Sequence, residues 1–123
     1  MDASELLERT FQFSVDVVRF LRSVPYRAEN EIIKQQLARA ATSIGANYEE
    51  AQGAFSRNDF KYKIGICNKE SRECHYWLRI IKASGIQCDE TALKPLLEEA
   101  DELKRMFYTM NKTVNFRKEP KGT

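Results

Sequence analysis

Phe60 to Ile81 reads FKYKIGICNKESRECHYWLRII. At helical spacing it places Phe60, Ile64, Cys67, Ser71, Cys74, Leu78 and Ile81 on one line. The steps alternate between four and three, which is the seam of a helix packed along one side. A second apolar line, Tyr62, Ile66, Trp77 and Ile80, lies roughly 130° around the axis at about 100° per residue. A third, Lys61, Arg72 and Arg79, is basic. One helix thus offers a core face, a face for a partner and a charged face.

The flanking signals extend this reading in both directions. Ser56 with Asp59 forms a capping box at the start, and Gly85 is a C-cap after Ser84. Upstream, a helix is expected from about Asn30 to Gly53, with Ile33, Leu37, Ala40, Ile44, Asn47 and Ala51 as its stripe. Its middle is small, and Gly45 inside a helix costs about 1 kcal/mol against Ala. A close neighbour is the expected reason. The first helix should run from Ala3 to about Ser23, capped by Asp2 with Glu5 and stopped before Pro25. Leu6, Phe13, Val17 and Phe20 form its stripe, but Leu7, Phe11, Val15 and Val18 make other sides apolar too. Downstream, Thr91 is the expected N-cap of a last helix, with Pro95 in its first turn. Leu93, Leu96, Ala100, Leu103, Phe107, Met110 and Val114 form its stripe. From Asn115 onward, NFRKEPKGT is polar and contains Pro and Gly. The spacing therefore predicts an all-α, antiparallel up-down-up-down four-helix bundle over residues 1–114, with a flexible basic tail over 115–123.

Length and composition set limits on function. The chain has 123 residues, one domain's worth, and a formal net charge of only +2. That charge does not imply nucleic acid unless it is clustered. Three cysteines (Cys67, Cys74 and Cys88) without a Cys/His cluster read as reduced thiols. The opening MDASELLER lacks signal-peptide order, and no apolar run reaches membrane-spanning length. The expected location is the cytoplasm, with no membrane partner.

No motif carries a reaction. Cys67, Ser71 and Cys74 fall on the core stripe, His75 is the single histidine, and the glycines are isolated. No enzyme activity and no cofactor are expected. A bundle metal site needs Glu-x-x-His pairs, and His75 lies two residues after Glu73 on a different face, so no metal is expected either.

Particular residues add a family to the pattern. QLARAATSIGANYEEA, Gln36 to Ala51, resembles the QL-x-R-A-x-x-S-I-x-A-N-x-x-E-A segment of the four helix bundle proteins. These are also described as intervening-sequence proteins of 23S ribosomal RNA genes. SRNDFKYKIGICNKESRECHYWL, Ser56 to Leu78, is similar to that family's third helix, and ERTFQF, Glu8 to Phe13, to its opening. The match spans roughly Leu7 to Val114. The resemblance implies a bundle that assembles as a homopentamer, with RNA or ribosome association suggested. A related fold occurs in the accessory variability proteins of diversity-generating retroelements, which are pentamers that bind nucleic acid. Those proteins are strongly basic, whereas this chain is near neutral.

Three constellations follow. The first is a candidate RNA- or DNA-binding ridge of Lys61, Lys69, Arg72 and Arg79, extended by Arg117 and Lys118 of the tail; a solvated helix face is the alternative. The second is a candidate subunit interface of Phe11, Val18, Tyr62, Ile66, Trp77 and Ile80; a wide core that swallows them is the alternative. The third is a polar network of Asn47, Glu50, Glu70 and Glu73, with Lys63 or Lys69 as counter-charge. The leading expectation is a non-enzymatic homo-oligomer that binds RNA or DNA. The other is a scaffold whose partner is a protein, with one apolar groove left open.

Overall fold

A computed structural model describes residues 1–116. Its four helices are α1 Ala3–Leu21, α2 Ala28–Gln52, α3 Arg57–Ser84 and α4 Glu90–Phe116. Short links force each helix to run back along the one before. α2 packs on α1, α3 on α2 and α4 on α3, giving a sequential up-down bundle. Direct contact between α1 and α4 is sparse, and a cleft of about 590 Å³ separates them along part of their length.

The core is the set of stripes that the periodicity marks. Phe13, Val17, Leu37, Ile44, Ile64, Cys67, Cys74, Leu78, Leu103 and Phe107 are fully enclosed or nearly so. The Tyr48 ring meets Phe107 edge-on at 5.6 Å between centroids. Gly45 explains the small-residue centre of α2. A Cβ there would sit 3.4 Å from the carbonyl carbon and oxygen of Thr10, so the α1 backbone runs directly over it. Beside this crossing the Ser14 hydroxyl donates to the Ala41 carbonyl at 3.0 Å, tying α1 to α2.

The caps agree with the sequence at α1 and α3. The Glu5 amide donates to the Asp2 carboxylate at 2.8 Å, and the Asp59 amide to the Ser56 hydroxyl at 3.0 Å. Gly85 ends α3 at φ +71°, the left-handed conformation that glycine adopts without a Cβ penalty.

Three boundaries differ from expectation. α2 begins at Ala28 rather than Asn30, because Asn30 is buried and its side-chain amide donates to the Pro25 carbonyl at 3.0 Å, anchoring the first turn. α4 begins at Glu90, and its cap is Asp89 rather than Thr91. The Asp89 carboxylate accepts from the Ala92 amide at 3.2 Å. Pro95 therefore lies in the second turn, where its ring removes the bond that the exposed Thr91 carbonyl would accept. α4 also continues through Asn115 and Phe116, residues expected in the tail. The Asn115 amide donates back to the Asn111 carbonyl at 2.7 Å, which keeps the last turn closed. The rest of the expected tail, 117–123 with Arg117 and Lys118, lies outside the described residues. Among the described residues, no helix is long and apolar enough to cross a membrane.

Candidate nucleic-acid interface

The basic line of α3 lies along its border with α4. Arg72 and Arg79 are exposed two turns apart, and neither has an ion-pair partner among the described residues. Antiparallel packing sets α4 beside them and contributes Lys104, Arg105 and Tyr108 to the same groove. Two carboxylates border this cluster: Glu73 lines the groove but pairs with Arg39 of α2, and Asp101 faces the cations themselves. Asp101 meets Arg105 at 3.0 Å, Lys104 at 3.4 Å and the His75 ring at 3.9 Å. Arg72, Arg79, Lys104 and Arg105 outnumber these two carboxylates, so the groove keeps a positive surplus although the chain as a whole is near neutral.

His75 reports that surplus. Its burial, with Lys104, Arg79 and Arg105 nearby, lowers its pKa below the ordinary histidine value, against the opposing pull of Asp101. The Lys104 ammonium lies 3.4 Å from His75 Nδ1. An ammonium can only donate, so Nδ1 accepts and the ring is neutral. Aromatic rings stand among the charges. Tyr76 and Tyr108 are about half exposed, Tyr76 meets Trp77 edge-on at 5.2 Å, and the Lys112 ammonium lies 5.4 Å from the Tyr108 centroid.

The other ridge residues lie elsewhere. Lys69 is exposed on another side of α3, and Lys61 is half-buried roughly 16 Å along the axis from Arg72, at 1.5 Å per residue. Neither lines the groove. Lys104, Arg105, Tyr76 and Tyr108 fall outside the ridge expected from the sequence. Their signal is present in α4, where Lys104, Tyr108 and Lys112 recur every four residues beside the core stripe.

The candidate interface residues divide. Phe11, Val18 and Tyr62 are exposed, whereas Ile66, Trp77 and Ile80 are half-buried. Trp77 also packs against the core, and its buried indole N–H has no acceptor among the described residues. The wide core therefore takes part of the second apolar line.

The four polar-network residues fall into three local sets. Asn47 donates to Ser43 within α2, and Glu50 pairs with Lys63 at 3.0 Å. Glu70 and Glu73 are joined by Arg39 of α2, at 2.7 and 2.8 Å. Glu70 is buried, at 3% exposure. Burial pushes its carboxyl above the ordinary range, Glu73 adds to this, and Arg39 opposes it. The counter-charge of Glu70 is thus Arg39, a residue outside the expected set; Lys69 has no part in it.

Arg39→Ala should destabilise the bundle by about 2 kcal/mol at pH 7.5. That is below the range for a fully buried pair, because the guanidinium is half exposed and screened. A raised carboxyl pKa means that the folded state holds its proton more tightly than the unfolded chain. The loss should therefore be smallest near pH 4 and grow as pH rises through the elevated Glu70 pKa. Urea unfolding at the two pH values reads this difference, and Glu70→Gln in the same chain should recover most of the loss. An equal loss at both pH values would contradict it.

Burial pushes the Cys67 thiol up to about 12 and raises Cys74 further, so both stay protonated. Among the described residues, no group of three or more His, Cys, Asp and Glu side chains is placed to hold a metal ion.

The comparisons with known proteins agree with the fold. Residues 3–109 match the model of the family described as 23S rRNA-intervening sequence protein. Among solved structures, the chain is similar to a protein with unknown function from the S23 ribosomal protein family of Bacteroides thetaiotaomicron. The two share 28% identity over 86% of this chain and 97% of that one, with a TM-score of 0.73. No curated protein matches the chain. With nearly the whole bundle inside the matched region, the chain belongs to the 23S rRNA-intervening sequence protein family.

Proposed function

We propose that this protein is a non-catalytic, self-associating cytoplasmic bundle that binds nucleic acid through the α3/α4 groove. The observation that carries the reading is the charge imbalance there. Arg72 and Arg79 are unpaired among the described residues, and Lys104 and Arg105 share one carboxylate. Surface cations in register attract phosphates and release their counterions. The family description refers to 23S rRNA, and the solved relative is named for a ribosomal protein family, so RNA is the first ligand to test. Self-association, as the pentamer that the resemblance implies, would repeat the groove around the assembly and multiply its field. Exposed Phe11, Val18 and Tyr62 supply apolar surface for such contacts. Light scattering should give a mass several times that of the 14.3 kDa chain; a monomer would overturn this part.

Filter binding tests the main reading. An rRNA fragment should be retained at low salt and released as salt rises; absence of retention at low salt sinks it. Binding should also take up a proton. A phosphate in the groove offsets Arg79, Lys104 and Arg105 around His75, leaving Asp101 to favour the imidazolium. Affinity should therefore increase as pH falls from 7.5 to 5.5, by up to about tenfold if the shift approaches one pKa unit. His75→Gln should flatten that profile, and an unchanged slope in this variant would remove His75 from the account.

A second reading has an observation of its own. The α1/α4 cleft has an apolar floor of Phe13, Phe20, Ala92 and Leu96 and a polar rim that includes Arg9, Arg19 and Glu99. It is the open groove that a protein-binding scaffold would need. Partners retained from a nuclease-treated lysate, and lost when Ala92→Glu blocks the cleft, would favour that reading.

A further inference from the structure

The α3/α4 groove is not one trough. It divides into two shallow recesses, of about 480 and 260 Å³, which share Arg72 and Lys104 as their dividing wall. Tyr76 and Arg79 line the larger recess, and Tyr108 lines the smaller. Each recess therefore pairs a half-exposed aromatic ring with a cationic wall. Resting on the reading of this groove as a nucleic-acid site, we infer that its ligand is a single strand with unpaired bases, not a duplex. Adjacent bases would stack on Tyr76 and Tyr108, and the intervening phosphate would sit on Arg72 and Lys104.

The physical argument is one of accessibility. A duplex presents phosphates outward and keeps its base faces stacked inside, so it could use the two cations but neither ring. An unpaired strand exposes base faces, and stacking on an aromatic side chain is sequence-tolerant, because every base has a π-face. Half-exposed tyrosines set between lysines and arginines are suited to the strand and add nothing for the duplex. Both rings are half exposed and neither is a buried core residue, so changing them should leave the bundle folded.

The test compares three labelled probes of equal length by fluorescence anisotropy: a uridine-rich RNA strand, its DNA counterpart and a blunt RNA duplex. Wild type, Tyr76→Leu with Tyr108→Leu, and Tyr76→Phe with Tyr108→Phe are titrated with each. The leucine pair should bind both single strands about tenfold more weakly or worse, and the duplex as wild type does. The phenylalanine pair keeps the rings and should match wild type throughout. Equal losses for strands and duplex, or no loss at all, would overturn the stacking inference and leave the groove reading standing. Failure of wild type to bind any of the three probes would overturn the groove reading itself. A thermal melt of each variant separates loss of binding from loss of fold.

Discussion

A protein carrying Arg72→Glu and Lys104→Glu should bind RNA at low salt roughly 100-fold more weakly than wild type, or weaker still. The two side chains form the wall between the recesses, so reversing both replaces attraction with repulsion at the centre of the groove. The salt dependence should change with the affinity. Arg72 and Lys104 share one phosphate, and its loss lowers the slope of log affinity against log salt by about 0.7 for a single strand. The fold should survive. Arg72 is exposed and unpaired among the described residues, and Lys104 gives up only its contacts with His75 and Asp101. A second carboxylate at position 104, three residues from Asp101, costs a few tenths of a kcal/mol, about the value of a like-charge pair on a helix. Gln at both positions should give a smaller loss, about tenfold, because it removes the charges without reversing them. Wild-type affinity in the glutamate pair would remove this groove from the account.

Gly45→Leu should be the most disruptive single change at the α1/α2 crossing, costing about 3 kcal/mol or more. A bare Cβ already stands 3.4 Å from the Thr10 backbone, so one methyl group just fits and a leucine does not. The obstacle is backbone, which cannot rotate aside as a side chain can. α1 would have to lift, breaking the Ser14–Ala41 hydrogen bond and opening the core around Phe13 and Val17. Urea unfolding should show the loss, with a melting temperature lower by roughly 10 °C. Gly45→Ala is the control. Its helix-propensity gain of about 1 kcal/mol offsets the tight contact, so its stability should stay within about 1 kcal/mol of wild type. A leucine variant as stable as the alanine one would show that the crossing is looser than described.

Gly45 also shows what was legible in the chain. A glycine within an otherwise helical pattern has a local cost, and the cost pointed to a close neighbour; only the packed helices show that the neighbour is Thr10. The four stripes were legible for a similar reason, since burial of one helix face leaves a periodic mark. Helix starts were less so. At α2 and α4 the deciding groups were Asn30 bonding to Pro25 and Asp89 capping Ala92, and several nearby residues could have served in either role.

The site was half legible. Arg72 and Arg79 stand out on α3, but their partners come from α4 across an antiparallel border. Periodicity within one helix carries no register against the next, so Lys104, Arg105 and Tyr108 could not be placed beside them. The same gap hid Arg39. Glu70 clearly needed a counter-charge, yet sequence spacing could not choose between Arg39 on α2 and the lysines of α3. Trp77 is a different case: it lies off the core stripe by angle, but its ring is long enough to reach the core, the alternative that the second apolar line had left open.

The central claim is a location, and ultraviolet crosslinking of a uridine-rich RNA strand to the wild-type protein, with the adducts mapped by peptide mass spectrometry, tests it most directly. The account predicts adducts within residues 72–79 of α3 and 104–112 of α4. Adducts confined to α1 and α2, or none under conditions where RNA is bound, would contradict it.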